Sequence, residues 1–113
     1  MNNNIKTCLY DILNGIIEIE SYFDEGFTKE FNLYQNDLKT KRAIERNIEI
    51  IGEAMNIILQ SGEEISISNS RKIVDARNRI IQGYDTVSDD LIWGILVKHL
   101  PILKSEIEKL LND

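Results

Sequence analysis

The chain holds one cysteine, one proline, one histidine and one tryptophan in 113 residues, and the first two scarcities each remove a class of protein. Cys8 has no second cysteine to pair with, so a small secreted scaffold cross-linked by internal disulfides is excluded. With a single proline, six glycines and no alternating apolar runs, strands and their turns are not expected. Nothing approaches the ~20 continuous apolar residues that span a bilayer. The apolar run from Ile12 to Ile19 is broken by Asn14, Gly15 and Glu18. The opening Met1-Asn2-Asn3-Asn4 lacks the basic segment of a signal peptide, so a cytoplasmic location is expected. Basic residues are outnumbered 13 to 19 by acidic ones. The resulting charge of −6 argues against a broad nucleic-acid surface, because phosphate binding draws on counterions released by clustered Lys and Arg. No glycine-rich phosphate loop is present, so nucleotide hydrolysis is not expected.

What is there reads as one globular, all-α domain over residues 1–113. Hydrophobic residues at 42% and charged ones at 28% exclude a disordered chain. Ile5, Leu9, Ile12, Ile16, Ile19 and Phe23 fall at helical steps and predict a first helix from Ile5 to Phe23, with Asn4 as N-cap. Thr28 to Leu33 is expected to form one short turn of helix. From Asp37 to Gln60, Ile44, Ile48, Ile51, Met55 and Ile58 form one stripe, and Ala43, Ile50, Ala54 and Ile57 form a second beside it. So wide an apolar face predicts a central helix, packed on two sides or buried in a dimer. A loop over Glu63 to Asn69 precedes a helix from Ser70 to Gln82-Gly83, with glycine suited to the terminus. Ser88 is the expected N-cap of a last helix reaching Leu111, whose stripe is Leu96, Leu100, Leu103, Ile107 and Leu110. Pro101 should kink that helix or start a new segment. The sum is an antiparallel up-and-down bundle of four long helices and one short one.

The anomaly is Arg77. Ile73, Arg77, Ile80 and Tyr84 share a helical face flanked by Val74 and Ile81, which puts a guanidinium amid an apolar stripe. Desolvating a charge costs several kcal/mol, so such an arginine needs a reason. It either reaches solvent or pairs with a glutamate of the preceding long helix, or it forms an anion site at the mouth of a groove. Asn78 and Gln82 lie one turn apart beside it. Between Arg71 and Arg79 stand four basic residues, Arg71, Lys72, Arg77 and Arg79, against the single acid Asp75. Glu45, Glu49 and Glu53 form an acidic ridge at steps of four. That ridge is either solvated or supplies an ionic partner to Arg77 or Arg79 across a dimer interface. No histidine is placed beside it to complete a metal site. His99 shares a face with Ile92, Ile95 and Ile102 and reads as a structural or surface residue, while Cys8, on an apolar face, reads as a buried, inert thiol.

The segment Arg77-Asn78-Arg79-Ile80-Ile81-Gln82-Gly83-Tyr84 resembles the signature of the HepT-like family of HEPN-domain proteins: Arg, a polar residue, three residues, His, any residue, Tyr. Asn47 to Ala54, Ile92-Trp93 and His99 to Leu103 resemble other stretches of that family in the same order. The resemblance implies a helical-bundle homodimer whose motif residues meet at a cleft. It implies a metal-independent endoribonuclease toxin that needs no cofactor. It also implies a partner, an MntA-like minimal nucleotidyltransferase antitoxin that transfers AMP to the motif tyrosine. Carried over, Arg77 would stabilise charge on the scissile phosphate, Asn78 would position it, Arg71, Lys72 and Arg79 would bind RNA, and Tyr84 would accept AMP. The departure is Gln82, where the family has histidine. An amide cannot exchange a proton near pH 7, and losing a general acid or base costs on the order of 10²–10⁴ in rate. Impaired cleavage is therefore expected, with a non-catalytic binding subunit of the nucleotidyltransferase as the alternative. RNA binding and partner binding need not suffer.

Overall fold

The structure is a computed structural model, which describes residues 2–23, 31–83 and 88–112. Among them there is no strand. Helix α1 spans Asn3–Ser21, α2 Phe31–Asn36, α3 Leu38–Gln60 and α4 Ser70–Ile81. Helix α5, Asp89–Gly94, runs through a π-helical turn at Ile95–His99 into α6, Leu100–Asn112. Counting that run as one element gives the expected four long helices and one short one.

Helix α3 lies at the centre, packed on α1 on one side and on α4 on the other, while α6 returns along α1. The periodicity fixes which residues meet there. Ile5, Leu9, Ile12, Ile16 and Ile19 of α1 face Ile44, Ile48, Ile51, Met55 and Ile58 of α3, all essentially removed from solvent. Burying each such side chain contributes about 1.5–3 kcal/mol. Leu96, Leu100, Leu103 and Ile107 close the core from the C-terminal run, with Leu110 half-buried. Asn47, the buried polar side chain of this interior, donates from Nδ2 to the Ala43 carbonyl at 3.1 Å and to the Tyr22 hydroxyl at 3.2 Å. Its desolvation is thereby offset.

At one end of the bundle Trp93 stacks on Tyr34 at 5.5 Å and meets Phe31 at 5.4 Å and Phe23 edge-on at 5.6 Å. This aromatic nest fastens α2 and α5 to the end of α1. Burial raises the Tyr34 phenol well above its ordinary pKa. Lys41 lies 5.6 Å from the Tyr34 ring centroid and pairs with Asp89 at 2.8 Å, joining α3 to α5. At the other end Ser68 donates its backbone N–H and its hydroxyl to the Glu106 carboxylate, pinning the α3–α4 loop to α6.

Some boundaries differ from expectation. The N-cap of α1 is Asn2 rather than Asn4, because its Oδ1 accepts from the Ile5 N–H at 2.8 Å and starts the helix two residues earlier. The short helix lies at Phe31–Asn36 rather than 28–33, whose first three residues fall outside the described residues. Helix α3 starts after Asp37, whose carboxylate accepts from the Lys39 N–H. Gly83 follows the last turn of α4 at φ +69°, the left-handed conformation its lack of a Cβ permits. Pro101 does open a new segment. It lacks the N–H a continuous helix would need, and the π turn immediately before it, with Leu100 N–H bonded to the Ile95 carbonyl, absorbs the irregularity.

Candidate functional site

Helix α4 can approach α3 closely because α3 carries glycine at the crossing. A Cβ on Gly52 would fall within 2.8 Å of Arg77 Cγ and closer still to Arg77 Cβ. The stem of Arg77 therefore lies directly on the α3 backbone. Ile73, Val74 and Ala76 are buried around the crossing. From this seat the guanidinium runs outward to a groove of about 380 Å³ between α1, α3 and α4.

Two neighbours set its orientation. Arg77 Nη1 donates to Asn78 Oδ1 at 2.9 Å, and Nη2 donates to Glu53 Oε2. The pair is not internal: the Glu53 side chain is 52% exposed and the Arg77 side chain 23%. Partial exposure makes this a weak clamp rather than a buried ion pair. Arg77 Nε is buried and has no hydrogen-bond partner among the described residues. Asn78 spends its oxygen on the guanidinium, which leaves its NH₂ free to donate to an anion.

The acidic ridge is now explained. Glu45 pairs with Arg42 at 2.7 Å, Glu49 with Arg46 at 3.3 Å and Glu53 with Arg77. Each ridge carboxylate is matched by an arginine of the same chain, which removes the like-charge cost along the helix. The expected glutamate partner of Arg77 is present as Glu53, and the same side chain lines the groove.

The groove is walled by Ile50, Ile57 and Ile81, with Ile57 45% and Ile81 53% exposed. The second apolar stripe of α3 is thus covered at Ala54 but open at Ile57. Asp11 of α1 and the pair Arg46–Glu49 complete the rim. Among the described residues no group of three or more His, Cys, Asp or Glu is placed to hold a metal ion.

The other candidate residues separate. Gln82 caps α4, its backbone N–H donating to the Asn78 carbonyl at 3.0 Å, and its side chain is exposed rather than lining the groove. Tyr84 lies outside the described residues. Lys72 and Arg79 turn away from Arg77 and line a second depression between α4 and the α5–π run, while Arg71 is exposed. His99 lines that second depression, far from a place beside Arg77. Cys8 is buried. Burial first, then Asp11 and Glu53, raise its thiol pKa. Sequence reasoning missed Gly52 and Asp11. A glycine inside a strong helix was the available signal for the former; nothing local marked the latter.

Among the described residues no helix is long and apolar enough to cross a membrane. The family model described as Ribonuclease HepT-like matches residues 12–110. "Probable ribonuclease HepT" of Thermococcus cleftensis is 32% identical over 97% of this chain and 98% of its own length. "Putative RNase MJ1380" of Methanocaldococcus jannaschii is 32% identical over 93% and 94%, and "Putative RNase MJ0127" of the same organism 25% over 97% and 89%. No solved structure matches at a significant level. A groove-mouth arginine on an all-helical bundle, and a match spanning nearly the whole chain, lead to one assignment: the protein belongs to the HepT-like ribonuclease family.

Proposed function

We propose that the chain is the toxin component of a toxin–antitoxin module, a metal-independent RNA endonuclease acting as a homodimer, with cleavage impaired by Gln82. The observation that carries this reading is the seat of Arg77: planted on Gly52 and aimed into an open groove, with Asn78 locked beside it. In the proposed reaction the RNA 2′-hydroxyl attacks the adjacent phosphorus and the 5′-oxygen leaves. Arg77 holds the phosphate oxygens as negative charge builds, and the Asn78 NH₂ fixes their orientation. Gln82 stands in the sequence where the family has the histidine that would move the proton, and an amide cannot accept it.

The exposed Ile57 and Ile81 beside the groove support a second copy packing there, which would bring two Arg77 side chains to one cleft. The second reading, a non-catalytic dimeric subunit of an MntA-like nucleotidyltransferase with Tyr84 as AMP acceptor, draws its support from Gln82 itself. Both readings hold together if a weakened toxin still binds its antitoxin.

Gln82→His is expected to restore RNA cleavage in the presence of a chelator, and adding Arg77→Ala to abolish it. A histidine variant that folds, dimerises and cleaves no RNA sinks the ribonuclease reading for this chain. Co-expression with an active nucleotidyltransferase encoded beside it should place AMP on Tyr84 by mass spectrometry. Unmodified Tyr84 removes the partnership.

A further inference from the structure

The second depression, about 390 Å³ between α4 and the α5–π run, is unused by any step above. Its size lies within the range of small-ligand sites. Three cations, Lys72, Arg79 and Lys98, line it, and none forms an ion pair among the described residues. His99 lines it too, and its Nδ1 is buried without a hydrogen-bond partner among the described residues. Burial first, then Lys72 and Lys98, lower the His99 pKa, so both lysines act on the imidazole. Asp75 and Asp90 add carboxylates, and Leu91 and Ile95 supply apolar surface.

Gly94 is the telling residue. It sits on regular helical backbone at φ −58°, ψ −41°, and a Cβ added there meets nothing within 4 Å. Neither backbone geometry nor close packing calls for glycine, which costs a helix about 1 kcal/mol relative to alanine. What the missing side chain does is leave the depression open. The adjoining π turn is the kind of helix irregularity found often at functional sites.

We infer that this depression binds a phosphate monoester of mononucleotide size. Lys72, Arg79 and Lys98 take the phosphate, Leu91 and Ile95 face the ring, and Asp75 and Asp90 accept from hydroxyl or amino groups. The two carboxylates favour a ligand carrying such donors over bare phosphate. The site lies across α4 from Arg77, so it does not rest on the ribonuclease reading.

His99 is the sole histidine, so its imidazole resonances report the site without assignment. AMP should shift them saturably and move the His99 titration upward. Adenosine should not, and inorganic phosphate should bind more weakly than AMP. Lys72→Ala and Lys98→Ala should each weaken AMP by about ten-fold, the loss of one charge-assisted contact. Gly94→Leu should abolish binding while the thermal transition persists. If that variant does not fold, Gly94→Ala, which has room for its methyl, should still weaken AMP. Tighter binding of a 5′-phosphorylated oligoribonucleotide than of AMP names an RNA end as the source of the phosphate, and the reverse names a free nucleotide. No saturable shift with AMP, GMP, CMP, UMP or the phosphorylated oligonucleotide overturns the assignment. So does binding that survives both lysine changes but disappears with Arg77→Ala.

Discussion

Replacing Gly52 by alanine tests how the groove is built. By helix preference alone the change should stabilise α3 by about 1 kcal/mol. The geometry opposes this. The new methyl would stand within 2.8 Å of Arg77 Cγ and closer still to Arg77 Cβ, with the Ile73 carbonyl at 3.4 Å. A flexible side-chain tip could swing away, but a Cβ is fixed to its backbone, so α4 itself must retreat. Ordinary carbon–carbon contact at about 3.5 Å requires the helices to part by roughly 1 Å, which forfeits a quarter to a half of each dispersion contact across the crossing. Ile73, Val74 and Ala76 all contribute buried surface there. Overpacking of this kind costs about 1–3 kcal/mol. Set against the helix gain, the expected net effect runs from about zero to a loss of ~2 kcal/mol, a fall in Tm of up to about 15 °C for a domain of this size. Thermal unfolding followed by circular dichroism at matched protein concentration measures it. Gly94→Ala in the same assay should move the other way, since that methyl enters open space. A Gly52→Ala protein more stable than the parent by the full helix gain of about 1 kcal/mol would refute the close crossing, and with it the account of how Arg77 is aimed.

Glu53→Gln removes the carboxylate that competes with an anion for Arg77, so a labelled oligoribonucleotide should bind about 3–10-fold tighter at low salt by fluorescence anisotropy. Unchanged or weaker binding would mean that RNA does not meet Arg77. His99 has a depressed pKa in the folded chain, so the unfolded chain holds more protons near pH 6. Its contribution to stability is complete above the ordinary value of 6.5 and is lost as pH falls through the lowered one. Tm should drop across that interval, and His99→Gln should flatten the drop. Cys8, buried and with its pKa raised, should react with a thiol reagent at pH 8 only as fast as the chain opens. Immediate labelling of the native protein would contradict its burial.

The core was legible because helical spacing and burial are the same fact seen twice. Every member of the Ile44–Ile48–Ile51–Met55–Ile58 stripe is buried. Arg77 stood out for the same reason, as a charge within such a stripe. Its partner did not, since Glu45, Glu49 and Glu53 share one ridge and only the crossing at Gly52 selects Glu53. The aromatic nest was equally hidden: Phe23, Phe31, Tyr34 and Trp93 come together through tertiary packing, which no local pattern encodes. Three successive asparagines before Ile5 could each have capped α1, and hydrogen-bond geometry chose Asn2. Lys72 and Arg79, grouped with Arg77 by sequence proximity, were separated from it by the angular step of the helix.

The π turn at Ile95–His99 leaves its mark on everything that follows it. One surplus residue in a helical turn advances the remaining chain by about 100° and 1.5 Å. The wide π turn absorbs that advance, so the inward-facing row of α6, Leu103 and Ile107, stays in phase with α1. A deletion within those five positions would let the segment relax to a plain α-helix and keep the row inward. The same deletion a turn later, beyond Pro101, would swing Ile107 toward water and a polar neighbour into the interior.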